Sequence, residues 1–312
     1  MLGYIVQRVL LALVSLLVVV FITYTLGFYG PGDPLLAHYG EDERTLVNEE
    51  ALARLRRAYG LDRPFLVQYT EYMGRLLKGD LGKTIATQQP INGMLAYRFP
   101  ITAQLGIAAF IVLVLVGVPL GVLAAIKQNT WADYLIVSGG VFIQSIPVFV
   151  LAPLALIVLV LELHLLKSVI GWKGAFTSTA ILPALLLAVG PMVIVIRQTR
   201  VGVIETLSQD YVRTARAKGL PERWVIWRHV MRNAVTPAVT SLGLLFSGLV
   251  TGSLFLEEIF GIPGFGSLVA SSYRGSDYPT IVATTLVSAV LIVGANLVVD
   301  LLYGVLDPRV RY

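Results

Sequence analysis

Side chains able to do chemistry are few in this chain, and they are scattered. Glu257 and Glu258 invite a glycosidase reading, in which two carboxylates flank a bound sugar. That chemistry belongs in a soluble cleft. The pair instead follows an apolar run and leads into "FGIPGFG" (Phe260–Gly266), so a re-entrant or capping turn is expected. His38, His164 and His229 fall in three separate segments, which argues against a shared metal site. The absence of cysteine excludes disulfides and thiolate chemistry. "GDLGKT" (Gly79–Thr84) ends like a phosphate-binding loop, but the motif needs glycine five positions before Gly82, where Leu77 stands. No other stretch fits G-x-x-x-x-G-K-[ST], so the chain is expected neither to cradle a nucleotide nor to carry a resident cofactor or metal.

The elements that must hold these residues are apolar. Mean hydropathy is +0.77, and only 14% of the 312 residues are charged, against roughly 25% in soluble domains. The apolar residues come in runs of about twenty, long enough to cross a bilayer. Six spans are predicted: Val9–Phe28, Thr102–Ala125, Tyr134–Leu161, Ala180–Ile196, Ala234–Phe255 and Thr280–Tyr303. The first is too long for a cleavable signal and has no small-residue cleavage site before "GPGDP" (Gly30–Pro34), so it is read as retained. The basic balance then reflects orientation rather than nucleic acid. With a cytoplasmic N-terminus, the inner segments hold Arg8, Lys127, eight Lys/Arg from Arg197 to Arg232, Arg309 and Arg311. Short outer loops hold only Lys167, Lys173 and Arg274. Both termini are therefore placed inside.

Three regions follow: residues 1–29 as the first span, 30–100 as an extracytoplasmic helical cap, and 101–312 as a core of five spans with an inner loop at 197–233. In the cap, Asn48 is expected to open a helix ending near Tyr59, and Pro64 a second one reaching Lys78. In the inner loop, "DYVRTARAKGLPERW" (Asp210–Trp224) predicts a helix capped by Ser208 or Asp210 and stopped by Gly219. Pro221 then begins a second helix, with Glu222 at its positive end. Lipid anchoring would use the basic residues, but it does not call for a helix–Gly–Pro–helix knob. A docking element does.

Polar groups within the spans are the remaining candidates. Asp300, with Asn296 one turn earlier, should face the bundle interior, because a mid-bilayer charge costs at least ~2.5–3.5 kcal/mol. Either an interhelical clamp or a proton or substrate site would satisfy it. Gln144 and Ser145, just before Pro147, are further candidates for the interior pathway, and Pro119, Pro147, Pro153 and Pro191 for helix kinks.

The basic loop resembles the EAA loop of permease subunits of ATP-binding-cassette importers. Ala215 and Gly219 match that motif, while Arg213 and Thr214 replace its Glu and first Ala. The divergent form continues through His229, Arg232, Asn233, Ala234 and Pro237 and is similar to the dipeptide/oligopeptide/nickel branch. "PGDP" (Pro31–Pro34), "GDLG" (Gly79–Gly82), "PLG" (Pro119–Gly121), "SIP" (Ser145–Pro147), "GIPGFG" (Gly261–Gly266) and "NLVVDLLYGVLDPRVR" (Asn296–Arg311) extend the resemblance over the chain. The large segment after the first span resembles the first, B-type permease of such systems. The resemblance implies an all-α polytopic membrane protein of the type I importer permease fold, in a bacterial inner membrane. It implies a heterodimer with a second homologous permease, two ATPase domains that bind ATP and Mg, and an extracytoplasmic substrate-binding protein. It also implies that Asp210, Arg213, Ala215, Arg216, Lys218, Gly219, Leu220, Glu222, Arg223, His229 and Arg232 form the ATPase-coupling loop. Two rivals remain: a self-sufficient proton-coupled carrier using Asp300, and an intramembrane protease, for which no histidine lies in a span to serve as base.

Overall fold

The computed structural model describes residues 2–29, 49–58, 62–85, 87–166, 169–252 and 254–306. Among them, helices dominate, and the sole β feature is an isolated bridge between Lys83 and Pro90. We number the helices in chain order: α1 (Leu2–Phe28), α2 (Glu49–Ala58), α3 (Phe65–Leu76), α4 (Ile91–Ile126), α5 (Trp131–Gln144), α6 (Val148–Glu162), α7 (Ser178–Leu207), α8 (Asp210–Ala217), α9 (residues 222–234), α10 (Thr236–Val250), α11 (Leu254–Ile259), α12 (Phe265–Arg274) and α13 (Tyr278–Leu306).

Four of these are long and apolar enough to cross a membrane: α1 over Val6–Phe28, α4, α7, and α13 over Tyr278–Val298. The predicted third span is a bent pair, α5 and α6, turned by 104° at residues 145–147. The bend has a local cause. Pro147 cannot donate a backbone bond and sits extended (ψ 140°) before α6, and proline disfavours helix at the residue ahead of it. The predicted fifth span is the shorter α10. Four spans therefore stand on length and composition alone, and a count of six requires the bent pair and α10 as well.

Several predicted boundaries move; the fourth span, for one, runs on to Leu207 rather than ending at Ile196. The second span begins at Ile91, so residues 91–100 belong to its helix rather than to the polar segment before it. Pro100 does not break it. In α4 a π-helical turn at Leu113–Gly117 precedes Pro119 and absorbs the ring's clash with the preceding turn. The helices expected in the polar segment occur as α2 and α3. Pro64 is the N-cap of α3 rather than its first residue, while Asn48, Tyr59, "GPGDP" and His38 lie outside the described residues.

Helix α7 is the centre of the bundle, packing against α4, α5, α10 and the α8–α9 segment. Leu105, Ala109 and Leu113 of α4 and Leu182, Ala188 and Val195 of α7 are buried in the main core, with Leu256, Phe260 and Ile262 closing it at one end. A second cluster at the opposite end joins Val122 and Ala125 of α4 and Val203 of α7 to Val212, Ala215, Val225, Ile226, Val230, Met231 and Ala234. Approach there is close: a Cβ on Gly202 would stand 2.2 Å from the Ala234 carbonyl oxygen. Small residues at such crossings let helices pack where no water drives them together.

Candidate functional site: a helical knob and two buried clamps

The α8–α9 segment is a helix–Gly–Pro–helix knob, as its sequence indicates. Val212 and Ala215 on α8, and Val225, Ile226, Val230, Met231 and Ala234 on α9, turn inward. Gly219 lies at φ +76°, with open space around its Cα. It ends α8 by adopting the left-handed conformation that other residues resist, not by close packing. Pro221 (ψ 142°) is the N-cap of α9, one position earlier than expected. Neither expected cap of α8 forms: Asp210 is its first residue, Gln209 occupies the cap position, and the Ser208 hydroxyl donates to the Glu205 carbonyl at the end of α7.

The knob's charges sort into two groups. Arg216 donates to both carboxylate oxygens of Glu222 at 3.1 and 2.6 Å, bridging the glycine bend. The guanidinium holds the Glu222 carboxyl below the usual carboxylate range. Arg213 stands 3.9 Å from Asp210 on an exposed face, and the Asn233 amide donates to the Tyr211 hydroxyl at 2.8 Å. These contacts lie within the knob. Lys218, Arg223 and Arg232 are exposed. Leu220, Pro221, Trp224, Arg228 and His229 line an open groove of ≈ 360 Å³. Such a surface, apolar with cationic edges, suits a protein partner offering an acidic rim.

Two clamps were not anticipated from the sequence. At the knob end, Arg200 of α7 grips Asp133 of α5 through two parallel bonds, Nε to Oδ1 and Nη2 to Oδ2, both 2.7 Å. The Asp133 side chain is 3% exposed and also accepts the Asn129 backbone N–H at 3.0 Å. At the opposite end, Glu257 is fully buried. It accepts the Thr102 hydroxyl of α4 at 2.6 Å and the Ser267 backbone N–H at 2.8 Å. The carboxylate thereby supplies the N-terminal cap that Gly264, without a side chain, cannot give α12. Thr102 also accepts the Phe265 backbone N–H at 2.7 Å. Gly264 is glycine for space alone: a Cβ there would lie 2.5 Å from both Glu257 Oε2 and Thr102 Oγ1. The turn expected here exists, but Glu257 is its buried anchor. Glu258 faces outward and pairs with Arg274 at 2.7 Å.

Three of the polar residues expected along the interior pathway open onto the surface of the single chain. Gln144, Ser145 and Asn296 are exposed on this chain. Gln144 and Ser145 sit at the α5–α6 break, where the Ser145 hydroxyl turns back to the Val141 carbonyl. The bend carries them to the surface formed by the described residues, open to a neighbouring subunit, water or lipid. Asp300 lies on α13, with a side chain outside those described. Among the described residues, no group of three or more His, Asp or Glu is placed to hold a metal. The "GDLGKT" stretch is no phosphate cradle. Asp80 and Asn92 side chains occupy its backbone, accepting the N–H groups of Gly82 and Leu81.

Comparison with known proteins agrees along the whole length. Residues 117–312 match the family described as binding-protein-dependent transport system inner membrane component, and residues 1–106 match the N-terminal region of such components. The chain is 37% identical over 313 residues to the oligopeptide transport system permease protein OppB of Salmonella typhimurium, covering 100% of both. It is 37% identical over 309 residues to the dipeptide transport system permease protein DppB of Bacillus subtilis, covering 99% of this chain and 97% of that one. It is 38% identical over 312 residues to DppB of Lactococcus lactis, covering 100% of both. A helical bundle with spans of bilayer length, a structured basic knob, family matches over residues 117–312 and 1–106 and relatives aligned end to end lead to one assignment: the chain belongs to the inner-membrane permease components of binding-protein-dependent importers.

Proposed function

We propose that the chain forms one half of a translocation pathway for peptides, with a second homologous permease as the other half. Two ATPase domains, which bind ATP and Mg, dock on the α8–α9 knob, and an extracytoplasmic binding protein delivers cargo to the Glu257 end. Both termini and the knob face the cytoplasm, following the Lys/Arg distribution. Peptide cargo is supported by the names of the relatives, which are oligopeptide and dipeptide permeases.

The observation that carries the reading is the fusion of the knob to the spans. Val212, Ala215, Val225 and Val230 share one buried cluster with Val122 of α4 and Val203 of α7. A push on the knob therefore moves packed helices as a body, the rigid-body logic of two-state transporters. Exposure of Gln144, Ser145 and Asn296 supports a subunit beside them, since polar groups facing lipid are costly.

Affinity capture of the tagged chain from its native membrane tests the assembly. The expected result is co-purification of an ATPase and a second, related permease in stable ratio. A chain that purifies alone and exchanges solute for protons through Asp300 would overturn the reading in favour of the secondary carrier.

A further inference from the structure

We propose that the Asp133–Arg200 ion pair is the strut through which motion of the knob reaches the bent helix pair α5–α6, and that it stays closed throughout the transport cycle. The proposal rests on the importer reading above.

The load path runs through named contacts. Helix α8 is linked to α7 by only Ser208 and Gln209, and its Val212 and Ala215 pack in one cluster with Val203 of α7. Arg200 lies one turn before Val203, on the same side of α7. From there the guanidinium reaches the first turn of α5 through two 2.7 Å bonds. Helix α5 then leads directly to the 104° break, where Gln144 and Ser145 are exposed. A displacement of α8 thus passes through α7 and Asp133 to the polar break.

The pairing chemistry suits transmission. An apolar contact between helices permits sliding and rotation, whereas a planar fork on a carboxylate fixes distance and orientation together. The carboxylate is further held by the Asn129 N–H at the entrance to α5 and by its place in the helix's first turn. Burial adds a second constraint: separating the pair would strand a charge away from water, so closure is favoured in every state. Asp133 and Arg200 are accordingly positioning residues.

The test uses the complete importer, with its permease partner, ATPases and binding protein, in proteoliposomes. It reads solute imported per ATP hydrolysed, together with the amount of assembled complex. Asp133→Asn and Arg200→Gln should retain the ATPases yet lower import per ATP at least tenfold. Arg200→Lys, which keeps charge but loses the fork, should fall between. The exchanged pair Asp133→Arg/Arg200→Asp should recover part of the ratio. The chain has no native cysteine, so Asp133→Cys/Arg200→Cys joined by a short bis-maleimide offers an independent restoration, effective even if the single variants assemble poorly. Single variants with unchanged import per ATP would overturn the proposal. So would a cross-link that blocks import, or losses that follow complex abundance and return with neither the exchange nor the cross-link. If the unaltered complex fails to couple ATP to import, the importer reading fails instead, and the two failures are distinguishable.

Discussion

Glu257 shows how much one side chain can organise here. Its carboxylate joins α4, α11 and α12 by accepting the Thr102 hydroxyl and the N–H of Ser267 at the open end of α12. Glu257→Ala leaves these donors buried without acceptors, and a destabilisation of about 3 kcal/mol is expected. Gly264→Ala removes no hydrogen bond, yet its Cβ would meet Glu257 and Thr102 at 2.5 Å, so a loss of about 1–3 kcal/mol is expected from overpacking. Denaturant titration of the purified permease orders these variants, and a Gly264→Ala protein as stable as the parent would contradict the packing geometry. The Arg216–Glu222 pair is different, since both side chains are about half exposed. Its lowered carboxyl means its stabilisation is complete above the ordinary carboxylate range and is lost as pH falls through the depressed value. A double-mutant cycle should give a coupling of only about 0.5 kcal/mol at neutral pH, vanishing in strong acid. Sequence patterns betray neither Glu257 nor Asp133. Their partners Thr102 and Arg200 lie 155 and 67 positions away, and no local periodicity carries that information.

At the scale of elements, the knob separates two roles that its motif presents together. Ala215 is 4% exposed within a packed cluster, so Ala215→Leu overfills it at a cost of about 1–3 kcal/mol. Gly219 has open space but a left-handed backbone, so Gly219→Ala costs only about 1 kcal/mol, and Gly219→Asn less. Capture of the ATPase should fall sharply for Ala215→Leu and little for Gly219→Asn; the reverse order would contradict the packing assignment. The knob's architecture was legible because Gly and Pro punctuate local structure whatever the surroundings. The long apolar helices were legible for a similar reason, since length and composition suffice. The α5–α6 break was not. Pro147 announces a perturbation, but the size of a bend depends on the helices packed around it. The start of the second span at Ile91 was hidden too, because Asn92, Arg98 and Pro100 read as the end of a polar segment.

At the scale of the whole molecule, the packed clusters and the exposed polar residues lie on different helices. Main-core and knob clusters share α4 and α7, while the α5–α6 break exposes Gln144 and Ser145. Assembly with a second permease would turn that surface into the wall of an aqueous path. Because this chain has no native cysteine, Gln144→Cys should therefore label this subunit with a water-soluble maleimide in the assembled importer, read on the separated chain, at a rate that changes with nucleotide; no reaction in any state would place it against lipid or protein. The most direct test of the central claim, a half-pore with no motor of its own, is labelled-peptide accumulation in proteoliposomes with internal ATP and external binding protein. The permease pair with its ATPases should concentrate peptide inside, and the same pair without them should stay at the level of empty liposomes. Accumulation by the chain in the absence of any ATPase would contradict the account.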